Sequence, residues 1–126
     1  MLLSILIPCQ EDGLLLFPTM KSIFQNEFPI EESEIVLLHN DNVQISKNVD
    51  KFRVRKYSGA FMNQAQALNW GLEKARGEII CITKPGCIVD SNWLAEINEF
   101  FKRHSDVDGI GGPVFPCWEY GTEIQP

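Results

Sequence analysis

Short apolar runs that alternate with amphipathic segments constrain this chain more than any other feature. Leu2-Leu3-Ser4-Ile5-Leu6-Ile7 is almost continuously apolar and is closed by Pro8; Glu34-Ile35-Val36-Leu37-Leu38 and Glu78-Ile79-Ile80-Cys81-Ile82 repeat the pattern. Such runs fit strands covered on both faces, as in a parallel sheet. Between them lie helical periodicities. Leu15, Leu16, Met20, Ile23 and Phe24 recur at helical spacing, with Pro18 tolerated in the first turn and an end near Asn26, before Pro29. A second helix is predicted from Asn63 to Ala75, with Ala65, Leu68, Leu72 and Ala75 on one stripe and Gly77 as its stop. Asp90 or Ser91 caps a third, whose apolar face is Trp93, Leu94, Ile97, Phe100 and Phe101. Phe52 to Tyr57 alternates like a half-exposed or edge strand and is broken by Ser58-Gly59; Val107 to Val114 is strand-like but interrupted by Gly109, Gly111 and Gly112.

The predicted order is strand, helix, strand, strand, helix, strand, helix, strand. It implies an α/β fold, a mostly parallel twisted sheet flanked by helices with right-handed crossovers. The ordered domain is expected over residues 1–114, with an irregular tail over 115–126. A chain of 126 residues makes one domain with one modest core.

Charge and cysteine usage narrow the function classes. The net charge is -6, so the chain does not neutralise a phosphate backbone in bulk and nucleic acid is not an expected partner. The one basic cluster, Lys51, Arg53, Arg55 and Lys56, has the spacing of a solvated strand face. Cys9, Cys81, Cys87 and Cys117 form no C-x-x-C pair, which argues against a zinc site. Cys81, inside an apolar run, reads as a small hydrophobe. The set fits a reducing, cytoplasmic compartment. No stretch is long enough to span a bilayer and the N-terminal apolar run is too short for a signal peptide.

In parallel α/β sheets ligands bind outside the carboxyl ends of the strands. The loops at those ends are Pro8 to Asp12, His39 to Asn42 and Thr83 to Cys87, and chemistry is expected there.

These loops and their flanks carry a resemblance. Ile7-Pro8-Cys9-Gln10-Glu11 resembles a strand ending in Ile-Pro; Ser22-Ile23-Phe24-Gln25-Asn26-Glu27-Phe28-Pro29 resembles a helix ending Ser-Leu-Leu-x-Gln-x-x-Pro. Glu34 to Asn42 loosely matches Glu-Ile-Ile-Val-Val-Asp-Asp-Gly-Ser. The most specific piece runs from Ala67 to Ile80, against Ala-x-Asn-x-Gly-Leu-x-x-Ala-x-Gly-Glu. Asp90-Ser91-Asn92-Trp93-Leu94 and Gly111-Gly112-Pro113-Val114 complete the series. In order and spacing the chain resembles the family 2 glycosyltransferases of GT-A fold, over nearly its whole length.

The resemblance implies a nucleotide-diphospho-sugar donor, a UDP-sugar, bound along Pro8, Glu11, His39, Asn40, Asp41, Asn69 and Lys84. Each position also has a plainer reading: Glu11 as a solvated loop acid, Asn40 and Asp41 as an Asx-rich turn, Asn69 as a structural hydrogen-bonding group, and Gly71 as an aid to helix–sheet packing. The family reaction releases a diphosphate whose charge a divalent metal, Mn or Mg, neutralises, held by an Asp-x-Asp motif. Here Lys84 and Gly86 stand at the two aspartate positions, so no metal ligand is nominated. Lys84 either neutralises phosphate itself or belongs to a type II turn with Pro85 and Gly86 at its centre. The acceptor-binding half and catalytic base of the family lie beyond the Gly-Gly-Pro-Val segment, so the fold is expected to be truncated and no general base is nominated. Two functions follow as expectations: transfer of a sugar to an unknown acceptor hydroxyl, or a catalytically inactive binding or interaction domain, in the second case with homodimerisation. An unrelated nucleotide-binding fold is disfavoured, because neither Gly-x-Gly-x-x-Gly nor a phosphate loop is present.

Overall fold

A computed structural model of the protein describes residues 2–10, 15–45, 47–61 and 63–112. The elements are β1 (Leu3–Cys9), α1 (Leu16–Phe24), β2 (Ser33–Asn40), β3 (Arg55–Gly59), α2 (Gln64–Lys74), β4 (Ile79–Ile82) and α3 (Trp93–Arg103), with 3-10 turns at Ile30–Glu32 and Lys47–Lys51. The four strands pair in the order β3-β2-β1-β4, all in parallel. The expected parallel α/β sheet is therefore present. The central strand β1 is buried at every position, as its unbroken apolar run requires.

Alternate residues of the sheet build two cores. Leu3, Ile5, Ile7 and Cys9 pack with Ile35, Leu37, Met20, Ile23 and Leu94 on the side of α1 and α3. Leu6, Val36 and Leu38 pack with Ala67 beneath α2. Cys81 is buried in the first of these cores, and burial pushes its thiol up to about 12.

Several boundaries move. Pro8 lies inside β1, opposite Leu38, instead of closing it. Even-numbered residues of β1 face β4, as the Thr83 N–H to Leu6 O bond shows. The next rung on that side would need an N–H at Pro8, which proline lacks, and the pairing of β4 ends at Leu6↔Ile82. β2 continues through His39 and Asn40, and β3 starts at Arg55 and takes in Ser58 and Gly59. Phe52 is drawn off the sheet by stacking on Phe24, ring centroids 4.5 Å apart, and by contact with Phe17.

The buried face of α2 is Ala67 and Gly71; Ala65 and Leu72, expected on the buried stripe, are exposed. Close approach decides this. A Cβ on Gly71 would stand 2.7 Å from Leu38 Cδ1 and 3.2 Å from Leu6 Cδ1, so only glycine lets the helix lie this close to the sheet. The cap of α3 is Asn92, not Asp90 or Ser91. Residues 107–112 form no strand, and the expected strand beyond them, with the tail 115–126, lies outside the described residues. No helix among the described residues is long and apolar enough to cross a membrane.

Candidate functional site at the carboxyl edge of the sheet

β2, β1 and β4 are neighbours and their carboxyl ends open on the same edge, β2 pairing with β1 as far as Cys9 and β4 as far as Leu6. This edge gathers Asn40 at the end of β2 and Asp41 after it, Gln10 after β1, and Thr83 and Lys84 after β4.

At the β2 end, Asn40 spans three segments. Its Oδ1 accepts the Phe61 N–H at 2.7 Å and its Nδ2 donates to Gln10 O at 3.3 Å. Its carbonyl accepts the Val43 N–H, while the Asp41 N–H is donated to Gly59 O, both at 3.0 Å. The Asn40 amide is thus a brace. The Asp41 carboxylate is exposed and makes no ion pair or hydrogen bond among the described residues. His39 is half-buried, in register with Cys9, with Nδ1 3.1 Å from Asn40 O.

At the β4 end, Thr83 is buried and its N–H is bonded to Leu6 O. Lys84 O then accepts the Cys87 N–H at 3.1 Å, closing a turn with Pro85 and Gly86 at its centre. Gly86 has φ +96°, the left-handed value that the third position of a type II turn demands and that glycine adopts without strain. Lys84 is exposed and has no ion pair among the described residues.

Thr19 and Ser22 on α1, with Asn26 just beyond its end, hold this turn and the chain after it. Thr19, Ser22 and Asn26 share one face by their three- and four-residue spacing. Thr19 Oγ1 accepts the Gly86 N–H at 2.9 Å, Ser22 Oγ accepts the Val89 N–H at 3.1 Å, and Asn26 Oδ1 accepts the Leu94 N–H at 2.9 Å. Asn26 Nδ2 also donates to Asp90 O, and the Glu27 N–H to Ser91 O. Beyond Thr83, residues 84–92 belong to no strand or helix, so side chains of α1 and of Asn26 satisfy several of their backbone groups. The available signal was a row of small polar residues along the otherwise apolar face of a helix.

The remaining expected positions stand apart. Pro8 is buried within β1. Asn69 is exposed on α2, about 180° around the helix from the Ala67–Gly71 face that meets the sheet. Glu11 lies outside the described residues. Metal ligation is poorly served: no three His, Cys, Asp or Glu side chains converge among the described residues. The donor set of the described residues does not fit a divalent cation.

Comparison with known proteins agrees with this geometry. The sequence matches the model of Glycosyl transferase family 2 over residues 4–123. The minor teichoic acid biosynthesis protein GgaB of Bacillus subtilis (strain 168) is 23% identical over 120 residues, covering 89% of this chain and 13% of its own. Among solved structures, S. aureus TarS 1-349 in complex with UDP-GlcNAc superposes with a TM-score of 0.69 at 16% identity, covering 93% of this chain and 37% of that one. The mannosyltransferase PcManGT from Pyrobaculum calidifontis, in complex with GDP-Man and Mn2+, gives a TM-score of 0.54 at 19% identity over 66% of this chain and 27% of its own. The chain thus spans a minor part of each relative, and its parallel sheet is that of the GT-A fold. A family match that runs almost end to end, on a sheet whose carboxyl edge gathers its polar loops, places the chain in glycosyl transferase family 2.

Proposed function

We propose that this chain is the nucleotide-diphospho-sugar-binding part of a glycosyltransferase and that its donor is a UDP-sugar. One observation carries the reading: an exposed carboxylate, Asp41, and an exposed ammonium, Lys84, follow β2 and β4 at the carboxyl edge of one parallel sheet, on either side of β1. A carboxylate accepts hydrogen bonds from a uracil ring N–H or a ribose hydroxyl; an ammonium neutralises a diphosphate. The TarS structures with UDP and UDP-GlcNAc support uridine as the base. In the reaction an acceptor hydroxyl attacks the anomeric carbon with inversion, and the sugar–phosphate bond breaks with its electron pair leaving on the diphosphate. In this reading the Lys84 ammonium stabilises that developing charge. No step is assigned to a metal.

The test is a thermal-shift titration of the full chain with UDP and with uridine, each with EDTA or with manganese. UDP at about 100 times its Kd stabilises by ~2.7 kcal/mol. The expected result is a UDP-dependent rise in Tm, equal in EDTA and manganese, that Lys84→Met abolishes. No rise at millimolar UDP overturns the binding reading, and a rise that needs manganese overturns the role given to Lys84.

A second reading, an interaction domain, is favoured by the α2 side of the fold. Leu72 and Ile82 are each 51% exposed there, and β4 is an edge strand among the described residues. A concentration-dependent dimer in light scattering, dispersed by Ile82→Lys, would support it; a monomer at every concentration would not.

A further inference from the structure

Thr19 is completely buried, and its hydroxyl is used twice: it donates to Leu15 O at 3.2 Å and accepts the Gly86 N–H at 2.9 Å. In a type II turn the N–H of the third residue points away from the turn, so it needs an outside partner. Gly86 has Thr19 as that partner, with Leu15 O at 3.3 Å as a weaker second. A Cβ on Gly86 would also stand 3.3 Å from Leu15 Cδ1, so the turn lies directly against the start of α1.

We infer that Thr19 is a positioning residue for the Lys84 ammonium, because its buried hydroxyl fixes the Lys84–Cys87 turn to α1 at the carboxyl edge of the sheet. The turn is held at two points. Thr83 is tied to Leu6 of β1 on one side, and Gly86 to Thr19 on the other. Lys84 lies between the anchors, with its stem free to extend. Fixing the root of a flexible cation leaves less freedom to be lost when it meets a charged ligand. Removing the α1 anchor lets the turn shift or fluctuate, and even a 1 Å displacement of a positioned group can cost a large factor in function. The inference rests on the proposed contact of Lys84 with the diphosphate; it adds that the strength of this contact is set from α1.

The experiment compares wild type, Thr19→Val, Thr19→Ser, Lys84→Met and the double variant Thr19→Val/Lys84→Met by calorimetric titration with UDP and with uridine. Amide hydrogen exchange at Gly86 and Cys87 is measured in the same proteins. Valine keeps the volume and loses the hydroxyl; serine keeps the hydroxyl. The expected result is an approximately tenfold loss of UDP affinity in Thr19→Val, unchanged uridine affinity, and affinity retained in Thr19→Ser. Thr19→Val should cause no further loss in the Lys84→Met background, since both act on one contact. Exchange at Gly86 should accelerate in Thr19→Val while the β1 amides stay protected. Equal losses for UDP and uridine, an additive double variant, or unchanged Gly86 exchange would each overturn the inference. If wild type binds no UDP, the nucleotide reading fails by itself, and Gly86 exchange still decides whether Thr19 holds the turn.

Discussion

The Oδ1 of Asn40 accepts the Phe61 N–H at 2.7 Å, which ties the end of β2 to the connection leading into α2. The neighbouring side chain has the opposite character, since Asp41 is exposed and unpaired among the described residues. One residue along the chain separates a group used by the fold from one available to a ligand. Asn40→Ala removes two hydrogen bonds and should destabilise by about 1–2 kcal/mol, seen as a lower urea midpoint. Asp41→Ala should stay within about 0.5 kcal/mol of wild type yet weaken UDP binding about tenfold, the loss of one charge-assisted hydrogen bond. The reverse pattern, a stable Asn40→Ala that loses UDP, would move the base contact from Asp41 to Asn40.

Two glycines test packing with different expected magnitudes. Gly71→Ala gains up to ~1 kcal/mol of helix propensity. Its new Cβ would meet Leu38 Cδ1 at 2.7 Å, and Leu38 is fully buried, so that side chain has nowhere to swing. Overpacking of this kind costs about 1–3 kcal/mol, so the net change should be a modest destabilisation. At Gly77 the Cβ would meet Ser4 N at 2.7 Å and Leu2 O at 2.9 Å, which are backbone atoms of the central strand and its lead-in. Gly77→Ala should therefore lower Tm more than Gly71→Ala. Equal Tm values would mean that β1 moves as readily as a leucine methyl.

Much of the fold is legible in the sequence because its strands are continuous apolar runs and its helices punctuate them. What was not legible depends on contacts between distant residues. Ser58 and Gly59 look like strand breakers, yet they pair with His39 and Asn40 at the sheet edge. The α3 cap shifted to Asn92 because the preceding carbonyls, Asp90 O and Ser91 O, are held by Asn26 and Glu27 at the end of α1. The Pro-Gly turn was readable from its local chemistry alone. Its attachment to Thr19 was not, since residues 67 apart in sequence cannot be paired by periodicity. Asn69 illustrates the converse: its motif was visible, but the register of α2, set by Gly71 against Leu38, turns it outward.

At the opposite end of the sheet a polar cluster makes stability depend on pH. Glu34 accepts hydrogen bonds from Ser4 Oγ, the Arg76 N–H and Arg55 Nη2, while Ser4 Oγ itself accepts the Gly77 N–H. Burial pushes the Glu34 carboxyl up. The bonds from Ser4, Arg76 and Arg55, with the charge of Arg55, outweigh burial and hold it below the ordinary carboxylate value. A carboxylate with a lowered folded-state pKa contributes stability that is complete above its unfolded value, near 4.3, and is lost as pH falls through the folded value. Glu34→Gln has no proton to bind there. At pH 7 it should be less stable than wild type by about 1–3 kcal/mol, the worth of a hydrogen-bonded charge. Between pH 5 and pH 3 wild type should lose stability faster, so the two curves should converge in urea denaturation at pH 7, 5, 4 and 3. Parallel curves over that range would show that Glu34 has the same proton affinity folded and unfolded, and that the cluster beneath the strands is held by hydrogen bonds without a net preference for the charged carboxylate.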